Sequence, residues 1–338
     1  MINWKKAGLT ALAGSLVATS AFAGAMTVSG TANLTYTANG GQEDTGEADE
    51  GGNHDGARWG MNKSLTFSGS GELDNGWTVS VSNTLANGSS SGVGLTIDMG
   101  DMGSLNYESS TGARGIGKIK DMMPTADEDV GNGIDVDGSG TAGGLSGTVS
   151  GGTKGFHYSK TVSDMVEIGI GYAHKSAGGN AQGGTSGAGA TASNVSGFIK
   201  LDPMDGLEIG FGVGEAATAT AGDKDLTDDH QTIYATYVYG PMTFGYQLSN
   251  VDTTGTTADD EQTRWGVLYA VNDEVSISYQ AHENDDSSNS VDEEATGVSA
   301  SYTSGGMTFK VHRNSADDVG NTASNESEHT EVGVTFAF

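Results

Sequence analysis

The sequence predicts an all-β fold: a 16-stranded antiparallel transmembrane β-barrel with short turns at one end and long acidic loops at the other. Three observations carry that reading. Apolar residues recur at every second position in about sixteen segments, each close to the length of a tilted membrane strand. Short and long connections take turns between those segments. The chain ends on EVGVTFAF, which sets Val332, Val334, Phe336 and Phe338 on one face and Glu331, Gly333, Thr335 and Ala337 on the other. Any half-buried antiparallel strand alternates in this way, so the remainder of the chain has to decide its meaning.

The N-terminus sets the compartment. Lys5 and Lys6 precede an apolar run over 7–18, and Ala21-Phe22-Ala23 has the small-x-small pattern of a signal peptidase site. Residues 1–23 therefore read as a cleaved export signal, with the barrel over 24–338. Beyond the signal no stretch approaches the roughly 20 apolar residues of a membrane helix. A mean hydropathy of -0.33 belongs to a polar chain, so a membrane must be crossed by strands.

The segments run in order along the chain. The first two, 26–38 and 58–71, alternate Thr and Ser with Val, Leu and Phe; 77–85, 93–99 and 103–108 continue that pattern through Val79, Val81, Leu95 and Ile97. In 153–160, 165–175, 193–201 and 207–215, Gly takes many of the positions between Ile168, Ile170, Ile209 and Phe211. The aromatic-rich half comprises 231–239, 242–250, 263–271, 274–282, 295–303, 307–313 and 329–338. Tight turns such as DPMDG (202–206), Gly240-Pro241, Asn272-Asp273 and SGG (304–306) supply the residues that hairpins need. The longer connections are 39–57, 86–92, 109–152, 176–192, 216–230, 251–262, 283–294 and 314–328. Such sorting has no rationale in a soluble sandwich, but an outer-membrane barrel has short periplasmic turns and long external loops.

Composition narrows the function. With 55 Gly among 338 residues the chain would suggest disorder were it not for the period-two pattern. There is no Cys, which excludes a disulfide framework. The formal net charge of -29, near -31 once the signal's two lysines are gone, repels nucleic acid. The carboxylates cluster in the connections, leaving nearly neutral strands. Period two then turns Val28, Leu34, Leu65 and Val81 outward, and Thr31, Thr66, Thr96, Gln247 and Ser278 inward. The inward set is hydrophilic, a lining for water with no side-chain core, and that implies a channel.

The export signal, the sixteen-fold alternation with one-sided turns, the terminal VGVTFAF and the long third loop together resemble a Gram-negative general porin, closest to the acidic porins of alphaproteobacteria. The resemblance covers essentially the whole mature chain and is architectural, with the last strand its only local motif. It implies location in the outer membrane of a Gram-negative bacterium and contact with outer-membrane lipid. It also implies a homotrimer, with Gly30 and Ala32 small enough for close subunit contact, and an assembly signal in Val334, Phe336 and Phe338 read by the outer-membrane assembly machinery. In such porins the longest loop folds into the barrel, and 109–152 is the longest here.

If 109–152 lies inside, its Arg114, Lys118 and Lys120, followed by Asp121, Asp127, Glu128 and Asp129, line the narrowest region. On the opposing wall, Arg58, Arg264, Lys310 and His312 are the cations that period two turns inward. Charges opposed across water make a transverse field that favours polar solutes, and rings of one sign bias ion selectivity. The same loop offers Asp127, Asp129, Asp135 and Asp137 as hard oxygen ligands for Ca²⁺, out of register with an EF-hand. No cofactor is otherwise required.

Enzyme-like strings carry little. Gly112 to Lys118 fits a phosphate-binding loop, but Ile119 stands where Ser or Thr must bind Mg²⁺. The seven His show no metal spacing, and the chain reads as no enzyme. The leading function is passive diffusion of ions and small hydrophilic solutes with a cation preference. A substrate-specific porin, or an exported acidic Ca²⁺-binding adhesin or surface protein, is the alternative.

Overall fold

The computed structural model describes residues 26–40, 56–108, 114–134, 155–173, 193–217, 227–253, 259–287 and 290–338. The export signal assigned to 1–23 lies outside them. Sixteen strands form one closed antiparallel barrel. In chain order the first eight are β1 (Thr27–Gly40), β2 (Gly56–Glu72), β3 (Thr78–Ala86), β4 (Ser89–Asp98), β5 (Ser104–Glu108), β6 (Gly155–Ser163), β7 (Val166–Ala173) and β8 (Asn194–Met204). The other eight are β9 (Leu207–Ala217), β10 (Thr227–Tyr239), β11 (Met242–Thr253), β12 (Asp259–Ala270), β13 (Val275–Asp286), β14 (Glu293–Ser304), β15 (Met307–Asp317) and β16 (Ser327–Ala337). Among the described residues no helix is long and apolar enough to cross a membrane. Backbone pairing in the barrel wall is carried by the strand ladder, and closure leaves no strand edge unpaired in hydrocarbon.

The seam joins the chain's two ends. β1 pairs with β16 from Thr31↔Ala337 to Gly40↔Glu328. Past the last residue of β16, Gly30 N–H donates to Phe338 O at 2.8 Å and Phe338 N–H donates to Gly30 O at 3.0 Å. Gly30 is buried here, because a Cβ would meet Leu65 Cδ2 and the Phe338 ring at 2.8 Å each. Its smallness makes room for this chain's own Phe338.

Period two sets the faces as expected. Val28, Met61, Val81, Ile170, Ile233 and Phe309 are exposed on the outer surface, the arrangement for contact with lipid. Aromatic pairs form near strand ends, Tyr36 with Trp59 at 5.2 Å and Tyr107 with Phe156 at 5.2 Å between ring centroids, as in an interfacial girdle.

Two features depart from the expectation. The connection assigned to 86–92 is a two-residue hairpin, with Asn87 at φ 51° and Gly88 at φ 90°, the geometry that Asn-Gly adopts most readily. Several strands also run further into acidic sequence than their apolar pattern does. β10 begins at Thr227, β12 at Asp259, and β13 extends to Asp286. In these stretches the inward positions are themselves polar, among them the buried His230, Gln262 and Asn284, so the apolar alternation stops while the hydrogen-bond ladder continues. Some of the carboxylates assigned to loops, among them Asp229, Glu261 and Asp285, are therefore exposed strand residues.

Candidate functional site: the segment inside the barrel

Of the loop assigned to 109–152, residues 114–134 are described, and they lie against the inner wall. Each wall side chain they bond, from His157 on β6 to Asn314 on β15, has the parity opposite to the outward apolar set. The segment crosses close to the middle of β11, β13 and β15.

It is held first by a small apolar core. Gly115 takes φ +47°, and a Cβ there would press on the Ser196 backbone. Its N–H donates to His157 Nδ1 at 3.1 Å, and Ile116 N–H donates to Ser196 Oγ at 3.2 Å. The 3-10 turn at Gly115–Ile119 then sinks Ile116 and Ile119, both fully buried, against Phe198, Ala216 and Tyr234. Gly212 leaves space for both isoleucines. Each such burial stabilises by roughly 1.5–3 kcal/mol. The expectation of a lining without any side-chain core thus fails along β8 to β10, where inward aromatics cover a returning apolar segment.

Amide side chains clamp residues 119–132. Gln247 accepts from Met122 N–H at 3.1 Å and donates to Ile119 O at 3.0 Å. Gln280 accepts from Val130 N–H at 2.8 Å and donates to Pro124 O at 3.2 Å. Asn314 donates to Asp129 O at 3.1 Å and Asn132 O at 2.8 Å. These side chains satisfy backbone groups that have no ladder partner. Sequence reading turned Gln247 inward without assigning it this work; an amide at an inward mid-strand position is the only signal that marks it.

Charge completes the attachment. Lys310 Nζ stands 2.9 Å from Asp127 Oδ1 and 3.4 Å from Glu128 Oε1, His312 Nδ1 is 3.0 Å from Asp127 Oδ2, and Arg264 Nη1 is 3.6 Å from Asp129 Oδ2. Burial works to raise the Asp127 pKa, but hydrogen bonds from His312 and Lys310 outweigh it and hold the carboxyl below its usual range. Asp129 goes the other way, raised to about 6, chiefly by burial and then by the neighbouring Asp121 carboxylate, which together outweigh Arg264.

The expected charged residues are therefore distributed differently. Arg264, Lys310 and His312 touch the segment's carboxylates instead of facing them across water. Arg114 is fully buried against β6 and β7, where Gly155 and Gly171 leave it room, so it lines no passage. Lys118, Asp121 and Glu128 are exposed within the barrel, Lys120 is half-buried, and Arg58 is exposed on the inward face of β2. Asp135 and Asp137 lie outside the described residues. Asp127 and Asp129 are engaged by wall cations, and among the described residues no group of three or more His, Cys, Asp or Glu is placed to hold a metal ion.

A family model described as Gram-negative porin matches residues 8–279. The chain belongs to the Gram-negative porin family. Comparison with curated protein sequences finds no match. Solved structures share the fold at low identity. A refined porin structure aligns with TM-score 0.65 and 12% identity over 93% of this chain and 100% of its own. OmpT of Vibrio cholerae gives TM-score 0.62 and 11% identity, covering 93% and 97%. A Rh. blastica porin variant gives 0.60 and 14%, covering 93% and 100%. The porin is accordingly an outer-membrane channel protein.

The porin's inner wall from β1 to β4 differs from the wall that holds 114–134. Between Arg58 towards the loop end and Glu72 and Asp98 towards the turn end, its inward positions carry Ser, Thr, Asn, Gly and Ala and no ionisable group. Cross-strand hydroxyl and amide pairs run along this wall and its neighbours: Thr31–Ser64 at 2.8 Å, Thr66–Thr84 at 2.9 Å and Thr96–Asn106 at 2.7 Å.

Proposed function

We propose that this porin passes ions and small hydrophilic solutes by passive diffusion, that residues 114–134 narrow its passage, and that it prefers cations. The observation that carries the proposal is a closed barrel with polar inward faces and a clamped segment at mid-height. The exposed carboxylates at the loop-side strand ends and the net charge of -29 support the cation preference, since a mouth of one sign concentrates counter-ions. Cleavage after Ala23, assembly as a homotrimer, and recognition of Val334, Phe336 and Phe338 by the assembly machinery belong to the same reading. Recording purified protein in planar bilayers tests it. A steady conductance with a reversal potential of cation-selective sign under a KCl gradient is expected; absence of conductance overturns the channel reading, and the opposite sign overturns the preference alone.

A further inference from the structure

The segment 114–134 covers one side of the barrel and leaves free the wall of β1 to β4, whose stretch between Arg58 and the pair Glu72 and Asp98 has no ionisable inward residue. We propose that this wall is a hydrogen-bonding track selecting neutral polyhydroxylated solutes, of the sugar and polyol class, over equally sized solutes that carry fewer hydrogen-bond donors; the inference rests on the channel reading above.

Three observations support it. The first is the recurrence of polar pairs on both sides of the β3–β4 step, where Thr84 and Ser82 stand opposite Gly92 and Gly94. Thr31–Ser64, on β1 and β2, is followed by Thr66–Thr84 on β2 and β3, then by Thr96–Asn106 on β4 and β5. Two further pairs extend the row, Thr335–Asn33 across the seam at 3.0 Å and Ser104–Ser159 between β5 and β6 at 3.2 Å. Adjacent strands lie about 4.8 Å apart and alternate residues on a strand about 6.8 Å apart, spacings on the scale of hydroxyls across a sugar ring.

The second is access. Thr31 is exposed, and Ser64, Thr66 and Thr96 are half-buried, so a solute reaches their oxygens from the lumen. A hydroxyl has one donor and two acceptor positions and rotates to suit its partner. When Thr31 and Ser64 bond to each other, one O–H is used and the other remains for a solute, together with unused lone pairs. A solute that both donates and accepts is met by such a pair in either orientation.

The third is that this stretch of wall, bounded by Arg58 at one end and by Glu72 and Asp98 at the other, has no ionisable inward residue. Asp127, Glu128 and Asp129 of the segment are matched at contact by Lys310, His312 and Arg264, and on β1 to β4 Arg58 is the one inward cation among the described residues. A charged solute passing here finds no counter-charge on the wall for the water it gives up, while a neutral polyol exchanges water for hydroxyl at little cost.

The test is liposome swelling with arabinose and triethylene glycol, which are matched in mass but not in donors: the sugar ring carries four hydroxyls, the glycol two hydroxyls and two ether oxygens that only accept. The wild-type porin is expected to admit arabinose faster, and the double variant Thr31→Val with Ser64→Ala is expected to lower the arabinose-to-glycol ratio by about fivefold, the effect of one net hydrogen bond. A ratio unchanged in the variant, or a wild-type ratio favouring the glycol, overturns the track. Should the double variant fail to assemble, Thr31→Ser with Ser64→Thr keeps both hydroxyls and is expected to keep the ratio; its loss there overturns the proposal. A wild-type protein that conducts no KCl fails as a channel altogether, which separates that failure from failure of the track.

Discussion

Lys310 Nζ lies 2.9 Å from Asp127 Oδ1, and both side chains are largely removed from water, at 12% and 7% exposure. A strand from the C-terminal end of the chain thereby grips a carboxylate from the third loop. With His312 on the other oxygen, Asp127 joins the inward segment to β15 at two points.

Removing Lys310 takes from the buried Asp127 carboxylate the ammonium it meets at 2.9 Å and leaves it the His312 contact. Lys310→Met is expected to weaken the attachment of 114–134 by roughly 3 kcal/mol. Single-channel recording should then show added current noise and altered conductance, with the barrel still resisting SDS at low temperature; a quiet channel of unchanged conductance would count against the clamp.

Asp129 is a group whose charge changes near physiological pH. Its pKa of about 6 leaves it ionised at pH 8 and protonated at pH 5, while Asp127, held below the usual range, stays ionised across that interval. Acidification thus removes negative charge, and cation preference is expected to fall as pH drops through about 6. Reversal potentials measured from pH 8 to pH 5 check this, and Asp129→Asn should remove the step.

Gly115 tests the apolar anchor. Its positive φ and its contact with the Ser196 backbone leave no space for a methyl group, and a non-glycine residue held in such a conformation costs about 1–3 kcal/mol. Gly115→Ala is expected to displace the turn bearing Ile116 and Ile119 and to change the conductance, whereas Gly76→Ala, at a turn where a Cβ meets nothing within 4 Å, should leave it as it is.

Gln247 tests the amide clamp. Replacing it with Leu deprives the Met122 N–H and the Ile119 carbonyl of their partners, a loss of about 1–3 kcal/mol for buried groups. Faster protease cleavage within 114–134 is the expected readout, and Gln247→Glu, which keeps the acceptor but not the donor, should fall between Leu and the wild type.

The seam gives the last prediction. Deleting Phe338 removes both of its backbone bonds to Gly30 and the aromatic residue at the end of the strand. Less heat-modifiable barrel in outer-membrane fractions is expected, and an unchanged yield would show that Val334 and Phe336 suffice for assembly.

Much of this architecture is legible in the chain, for a definite reason. A strand between lipid and water must alternate, so Val332, Val334 and Phe336 announce their facing without knowledge of any neighbour. The same rule loses its grip at Asp259 to Glu261 and at Glu283 to Asp286, where the outward positions carry carboxylates and the inward ones are polar too, so no apolar residue marks either face. The Asn87-Gly88 turn is readable from its dipeptide, yet the Gly- and Ser-rich stretch after it masks the start of β4.

By itself the sequence determined the barrel, its strand number, the direction each strand faces and the polar character of the interior, because these arise from a periodicity that each strand carries alone. Only the tertiary structure decided that Arg114 is buried, that Asp127 meets Lys310 and His312, that Asp129 meets Arg264, and that Gln247 holds Met122. Those contacts join residues far apart in the chain, and their partners are chosen by the path of an irregular segment across a curved wall, which no local period encodes.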